Sequence, residues 1–199
     1  FGGLQRVADY NLTSSLNALA KAVQKADAEN EVGTRNIRLS SCRQALSGFN
    51  FNRNYSFNSV LKVSTGVEIE REHLRAVVHI PRINTSFDLL NIRGLPFFRI
   101  SISLGSVSDM VYREDLKQYV PANEKLNGIF RTFTGEWIPA VNIREGQMVE
   151  VGLNESLRDD LTEEVTLIVS AAVEFGEVGF DGKPQEVKYA GSGKVLICG

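Results

Sequence analysis

The chain has 199 residues, 43% of them hydrophobic and 23% charged, which is ordinary usage for a globular protein large enough to bury a core. The formal net charge of −2 argues against a general nucleic-acid-binding protein, because such proteins carry a strongly basic surface. No apolar run reaches the roughly 18 residues that a membrane-spanning helix needs, so we expect no transmembrane segment.

Helical periodicity is confined to the N-terminal part of the chain. Apolar residues recur at helical spacing from Leu12 to Val23, and the helix they predict ends near Asn30. A hydroxyl of Thr13 or Ser14 is expected to cap its first turn. A weaker pattern predicts a second helix over 34–46.

Aromatic residues alternate with asparagine from Phe49 to Asn58, which predicts an extended segment leading from the helices into a sheet. We expect Phe49, Phe51 and Phe57 to pin the helices onto that sheet. The alternative, a platform on which bases or sugars stack, requires the rings to be exposed.

Strands are predicted wherever apolar and polar residues alternate in the rest of the chain. The predicted strands cover 67–70, 74–80, 98–104, 129–133, 137–141, 149–153, 165–175, 186–189 and 195–197. Turns at Thr134-Gly135 and Asp181-Gly182 are expected to join two pairs of them directly. Residues 104–127 have no clear pattern and are interpreted as a long loop.

The strands follow one another without helical crossovers, which favours an antiparallel β-sandwich over a parallel sheet. We therefore predict an α+β fold, in which a helical pair packs on a predominantly antiparallel, Ig-like sandwich. The helical segment is assigned to residues 1–50 and the sandwich to residues 51–199, together forming one cooperative unit.

No set of residues has the spacing of a catalytic, cofactor-binding or metal site. His73 and His79 would lie about 20 Å apart along a strand, which is too far to share a metal ion. Residues 191–194 lack the remainder of a phosphate-binding loop, so we interpret them as a turn or bulge. Cys42 and Cys198 have no metal-ligand spacing and are not expected to form a disulfide. We predict that the protein is not an enzyme and has no catalytic residue, cofactor or metal.

Two alternatives remain open. Asp159, Asp160, Glu163 and Glu164 cluster before a strand, where a solvated turn is the expected role and a hydrolase with dispersed carboxylates is the less favoured one. A ligand-binding module, for carbohydrate or another ligand, would use exposed aromatic side chains on the loops. The candidate ligand or partner contacts are Tyr112, Tyr119 and Trp137.

Several stretches are similar to a family of uncharacterised bacterial proteins, of the kind found in Bacteroidetes, whose members have an N-terminal helical segment and a C-terminal β-sandwich. These stretches are 10–16, 33–36, 46–52, 99–104 and 189–196. The likeness runs over most of the chain, but each motif is loose. Family members look longer at the N-terminus, which together with the start at Phe1 implies a processed or partly represented chain. The resemblance implies helices plus a sandwich and a non-enzymatic role, and it brings no site residues.

The charge is divided unevenly between the two halves of the chain. Residues 1–100 carry 13 lysines and arginines against 8 acidic residues, and residues 101–199 carry 9 against 16. Such opposite charges can steer head-to-tail association. Our leading hypothesis is therefore a structural subunit that assembles into a homo-oligomer or polymer, such as a filament, a pilus-like fibre or a phage or mobile-element component. Its mechanism would be strand addition at an exposed sheet edge. The sequence does not determine the compartment, although we favour an extracellular or cell-surface location.

Overall fold

The computed structural model of the protein describes residues 2–141 and 143–199. Its α-helices are α1 (Leu12–Lys25), α2 (Phe57–Val60) and α3 (Thr85–Asp88). The strands are β1 (Gly66–Glu70), β2 (Arg75–Ile80), β3 (Ile83–Asn84), β4 (Phe97–Ser108), β5 (Met110–Arg113), β6 (Gln118–Pro121), β7 (Phe130–Thr134), β8 (Ile138–Pro139), β9 (Ile143–Arg144), β10 (Gln147–Gly152), β11 (Val165–Val178) and β12 (Pro184–Cys198). Short 3₁₀ segments cover Gly2–Val7, Leu39–Leu46, Arg71–His73 and Glu155–Asp160.

The strands pair antiparallel throughout the described part of the chain. The main sheet has the order β12-β11-β4-β7, and β8 pairs with the first residues of β4 beside β7. The small sheet has the order β1-β2-β10, and β3–β9 and β5–β6 form two-stranded ribbons. The predicted α+β fold is thereby confirmed.

The hydrophobic core lies between the main sheet and the small sheet. Ile100 and Leu104 of β4 and Leu167 of β11 belong to the same buried cluster as Ala76 and Val149 of the small sheet. Successive side chains of a strand point to opposite faces, so this core takes every second residue of β4 and β11. The alternating pattern had predicted antiparallel strands with one face in the core, and β4 and β11 have this arrangement.

The opposite face of the main sheet is covered by the N-terminal segment. Leu4, Val7 and Phe51 form a second buried cluster with Ile168 and Ala172 of β11. As a result, β11 is buried on both faces from its first residue to Gly176. Phe57 is buried in the main core and Phe49 packs against the second cluster, so the prediction that these aromatic side chains pin the segment onto the sheet is confirmed.

The predicted helical pair is only partly correct. The first helix begins earlier than predicted, with the Asn11 side chain accepting the N–H of Thr13 at 2.9 Å, and it ends at Lys25. The second helix is wrong: Ile37 forms a β-bridge with Met110, and the 3₁₀ segment that follows is kinked at Cys42. The reason is that the N–H of Ile37 donates to the carbonyl of Met110 at 2.9 Å and the N–H of Met110 donates to the carbonyl of Ile37 at 3.0 Å. Neither main-chain group of Ile37 is then free to form a helical hydrogen bond.

Three further predictions about the loops need correction. The strands predicted around the Thr134-Gly135 turn do not form a hairpin, because β7 and β8 both pair with β4 instead. Residues 104–127 are not one long loop, since they contain the end of β4 and the β5–β6 hairpin. The predicted joining of β11 and β12 across Asp181-Gly182 is confirmed. The turn or bulge predicted at residues 191–194 is wrong, because these residues pair in regular register with β11 and the irregularities of β12 lie at 187–190 and at Leu196.

Candidate functional site

The outer side of β7 is an uncovered edge of the main sheet. Among the described residues no strand pairs with this side, and Phe130 and Phe133 are 55% and 38% exposed. The strand reads Phe-Arg-Thr-Phe-Thr; Arg131 is its one charged residue, and it contains no lysine, acid or proline, which proteins use to keep free edges from pairing with other chains. Its aromatic and β-branched residues instead favour strand pairing. We call residues 130–134 the β7 edge.

The alternation of hydrogen bonds in an antiparallel pair decides which main-chain groups of β7 are free. Before the strand, the N–H of Ser106 donates to the carbonyl of Ile129 at 2.8 Å. After it, the N–H of Gly135 donates to the carbonyl of Ile100 at 3.0 Å. The odd-numbered residues of β7 therefore bond to β4, and the even-numbered residues direct their N–H and C=O groups away from the sheet. These outward-facing residues are Phe130, Thr132 and Thr134.

The outer edges of β12 and of the small sheet differ from the β7 edge. The outer side of β12 is covered at residues 193–195 by residues 48–51, where the N–H of Val195 donates to the carbonyl of Phe49 at 2.9 Å. The edges of the small sheet carry exposed acidic side chains, Glu68 on β1 and Glu150 on β10. The β7 edge therefore differs from the β12 edge in its free main chain, and from the edges of the small sheet in its side chains.

Tyr112 and Tyr119 lie opposite each other on β5 and β6. Their rings meet edge to face, with centroids 5.3 Å apart. The Tyr119 hydroxyl donates to the carbonyl of Arg35 at 2.9 Å and accepts from the Gln24 side chain at 2.7 Å. Tyr119 thus attaches the hairpin to α1 and the loop that follows it, and its polar group is already used inside the protein.

Trp137, the third predicted contact residue, is half-buried at the other end of the main sheet. The Arg99 guanidinium lies 4.3 Å from the centroid of its ring. A Cβ added to Gly176 would come within 2.9 Å of the same ring, so the indole packs directly on the β11 backbone. Arg99 precedes the β5–β6 hairpin by ten residues or more of extended chain, about 33 Å. The three predicted residues therefore do not form one site.

Beside Trp137 lies a group of charges around one buried carboxylate, which we call the ion cluster: Arg6, Arg99, Glu174 and Glu186. The Glu174 side chain is fully buried. Its carboxylate accepts from Nη2 of Arg6 at 2.7 Å, from Nη2 of Arg99 at 2.6 Å and from the Ser101 hydroxyl at 2.8 Å. Glu186 lies 3.3 Å from Arg99 and 3.4 Å from Arg6. Two cations and two carboxylates compensate each other, so the cluster presents no net charge to a ligand.

The sequence contained a signal for this cluster that we did not use. Glu174 interrupts the strongest apolar run of the chain, 165–175, and a charge in such a run needs a buried partner. The register of β4 and β11 places Arg99 directly opposite Glu174. The partner from the N-terminal segment, Arg6, is 168 residues away in sequence and had no local signal.

The cysteines and histidines of the described residues lie outside the ion cluster. Burial raises the pKa of the Cys198 thiol to about 11, and burial also raises the pKa of Cys42, so neither is a ready nucleophile at neutral pH. Both cysteines are free thiols. His73 and His79 are exposed, and the described residues contain no group of three His, Cys, Asp or Glu side chains that could hold a metal ion. No helix in the described part of the chain is long and apolar enough to cross a membrane.

The acids of the hydrolase alternative lie in and after the 3₁₀ segment before β11. Asp160 pairs with Lys125 at 2.6 Å, and Glu163 pairs with Arg43 at 3.1 Å. A hydrogen bond from the Thr162 side chain holds the pKa of Glu164 below its usual value. A general acid requires the opposite shift, so this environment suits solvated, ionised carboxylates.

Comparisons of the chain with protein-family models, with curated proteins and with solved structures find no match. A function must therefore be argued from the geometry of the chain itself. The two features that stand out are the β7 edge and the ion cluster, and only the first is open to a partner.

Proposed function

We propose that the protein is a non-enzymatic structural subunit that associates with copies of itself by strand addition at the β7 edge. The observation that supports this most is the free main chain of Phe130, Thr132 and Thr134, flanked by exposed aromatic side chains. Main-chain hydrogen bonds supply affinity in strand addition without special side chains. The covered edge of β12 and the acidic edges of the small sheet leave β7 as the edge best suited to pairing.

A second copy fits the β7 edge in an antiparallel register centred on Thr132. In that register Thr132 lies opposite its own copy, and Phe130 lies opposite Thr134. All of these are outward-facing residues, so the pair would form about six main-chain hydrogen bonds. Arg131 of each copy would lie opposite Phe133 of the other, where a guanidinium and an aromatic ring attract each other. The short strand is thus complementary to itself.

Such pairing about a twofold axis produces dimers. Growth into a filament requires a second contact on each subunit, because a twofold contact closes on itself. The opposite charges of the two halves of the chain favour a head-to-tail contact of this kind. The proposal therefore has two stages, a β7 dimer and a polymer of dimers.

The first experiment measures the mass of the protein in solution over a range of concentrations. Light scattering is compared for the wild type, for the variant Phe130→Lys/Phe133→Lys and for the control Phe87→Lys/Phe180→Lys. The control changes two exposed phenylalanines away from β7, which are 72% and 111% exposed. We expect dimers or larger species for the wild type and the control, and monomers for the β7 variant, because lysines on an edge oppose pairing.

The second experiment tests the register by disulfide trapping in a Cys42→Ser/Cys198→Ser background. Thr132→Cys would place two thiols at the axis, with Cα atoms about 5.5 Å apart, within the range of a disulfide. Thr134→Cys is the matched control, since its two copies would lie about 13 Å apart. We expect a covalent dimer with Thr132→Cys and none with Thr134→Cys.

Electron microscopy by negative stain addresses the second stage. Ordered filaments or rings would support growth beyond the dimer. A wild-type protein that stays monomeric at all concentrations, with no cross-link at Thr132, would contradict self-association at β7. If the protein forms dimers that never grow into larger assemblies, the polymer stage of the proposal is contradicted and the β7 dimer is retained.

A further inference from the structure

The outer strand β12 contains a bulge that presents one tyrosine to solvent. Between the pairs Glu174–Gly191 and Gly176–Glu186, four residues of β12 (187–190) stand opposite the single residue Phe175 of β11. In this bulge Tyr189 has φ of 58°, a left-handed conformation that is rare for a bulky side chain, and the residue is 62% exposed. Bulges of this kind often redirect a side chain at a functional site.

The bulge is held in place by buried contacts. Gly191 has φ of 138°, and a Cβ there would come 2.1 Å from the carbonyl oxygen of Val173, so only glycine fits. Ala190 is buried in the main core. Because both residues after Tyr189 are fixed, its strained backbone and exposed ring are imposed by the fold.

A second exposed tyrosine, Tyr55, is fastened to the same bulge. Asn52 is buried, and its side-chain oxygen accepts the N–H of Tyr55 at 2.8 Å while its Nδ2 donates to the carbonyl of Gly191 at 3.0 Å. The Ser192 hydroxyl donates to the carbonyl of Tyr55 at 2.7 Å. These bonds fix the backbone of Tyr55 beside that of the bulge before any ligand arrives.

Tyr189 lines two adjoining clefts. The larger has a volume of about 530 Å³ and is also lined by Gln5, Asp9, Tyr10 and Asn11. The smaller is lined by Tyr55, Asn91, Ile92 and Arg93. Because Tyr189 lines both clefts, we treat them as one groove, which is also lined by Tyr10 in the larger cleft and by Tyr55 in the smaller. We call it the tyrosine groove.

The polar groups of the groove are amides, hydroxyls, a carboxylate whose hydrogen bonds are already made and the guanidinium of Arg93. Asp9 already accepts from the main chain of Arg53 and from the main chain and side chain of Asn54. Arg53 stacks on the Tyr10 ring, 3.9 Å from its centroid. The side chain of Gln5 is exposed and has no hydrogen-bond partner among the described residues. The groove therefore offers aromatic faces and planar amides, with the exposed Arg93 as a single cation and no cluster of charges of one sign.

We propose that the tyrosine groove binds a neutral polysaccharide. A pyranose ring has a C–H face that packs on an aromatic ring and hydroxyl groups that exchange hydrogen bonds with amides and phenols. A charged ligand would meet no uncompensated cluster of the opposite sign. An open groove of preformed tyrosines suits an extended polymer that is bound along its length. This site is separate from the β7 edge and does not depend on self-association.

The test is affinity electrophoresis of the purified full chain in gels that contain a neutral β-glucan, a mannan or a xylan. We expect at least one of the three to retard the wild type. The Tyr189→Ala and Tyr55→Ala variants should lose most of that retardation, whereas the control Phe180→Ala should retain it. Tyr189→Phe keeps the ring and should retain more than half of the retardation.

Tyr189→Gly separates binding from folding. Glycine accepts the left-handed conformation freely, so this variant should unfold at the same or a higher denaturant concentration than the wild type while losing binding. A lack of retardation by all three polysaccharides, with the fold intact, would overturn the proposal. So would retardation that Tyr189→Ala leaves unchanged. Binding of a single-stranded oligonucleotide or a proline-rich peptide in place of the polysaccharides would overturn the ligand class.

Discussion

The buried carboxylate of Glu174 gives the sharpest prediction about stability. Replacing it by glutamine keeps the shape of the side chain but removes one oxygen acceptor and places an NH₂ group among N–H donors. Those donors come from Arg99, at 2.6 and 2.8 Å, and from Arg6, at 2.7 Å. The Arg99 side chain is only 15% exposed, so its charge would stay largely buried with Glu186 as the remaining acidic partner.

Removing one partner of a buried ion pair costs about 3–5 kcal/mol of stability. For a chain of this size about 1 kcal/mol corresponds to roughly 2–4 °C in Tm, so Glu174→Gln should lower Tm by roughly 6–20 °C. The matched control is Glu186→Gln, whose side chain is 25% exposed and whose contacts are 3.3 Å or longer. It should cost about 1 kcal/mol or less.

Urea unfolding at neutral pH, followed by tryptophan fluorescence, measures both variants. Trp137 is the single tryptophan and stacks on Arg99, so its emission reports the cluster directly. A double-mutant cycle of Arg6→Gln with Glu174→Gln then isolates the contact that fastens the N-terminal segment to the sheet. If Glu174→Gln costs no more than Glu186→Gln, the view of Glu174 as the centre of a buried network is refuted.

The remaining predictions concern an acid, a thiol and a glycine. Hydrogen bonds, first that from the Asn30 side chain and then that from the Asn36 N–H, lower the pKa of Asp27 from 3.8 to about 2. The ionised Asp27 carboxylate therefore stabilises the fold above about pH 4, and this contribution is lost as the pH falls toward 2. Between about pH 4 and pH 2, the free energy of unfolding measured in urea should fall less for Asp27→Asn than for the wild type. The Cys198 thiol, with a pKa of about 11, should remain unmodified by Ellman's reagent at pH 8 until denaturant is added. Rapid labelling of two thiols in the native protein would contradict this. Gly191→Ala should lower the free energy of unfolding by about 3 kcal/mol or more, because a backbone oxygen lies where the Cβ would be. The control Gly182→Ala, with φ of 76° and open space around the Cβ, should lower it by only about 1–2 kcal/mol. Equal losses in urea unfolding would show that the β12 bulge rearranges.

The local sequence pattern predicted those strands in which every second side chain packs in the main core. The alternation from Val165 to Phe175 and from Phe98 to Leu104 identified β11 and β4, because every second residue packs in the main core. The residues between them lie on the other face of the sheet, where Ser101, Ser170 and Thr166 are also buried. Small hydroxyl side chains suit either environment, so the sequence carries no periodic signal for that second contact.

The errors have a common cause in contacts between distant parts of the chain. The segment 34–46 has helical spacing, but Met110 takes the main-chain groups of Ile37 and Asp109 accepts the N–H of Ser40. Tyr112 and Tyr119 were selected as exposed aromatics on a loop, yet they face each other across a hairpin. The strand at 129–133 was predicted close to its observed position. Whether this strand lies at the edge of the sheet depends on which strands pair with β4. The alternation of apolar and polar residues does not specify that pairing.

The order in which the chain is synthesised gives the covering of β12 a further consequence. Residues 48–51 leave the ribosome long before Val195, with which Phe49 pairs, and Arg6 precedes Glu174 by 168 residues. Contacts so far apart in sequence make folding slow, on the scale of milliseconds to seconds, and delay it until the last strand has emerged. By then the segment that shields β12 is already present, so this edge is protected during biosynthesis from neighbouring nascent chains. In the described part of the chain no segment shields the β7 edge in this way.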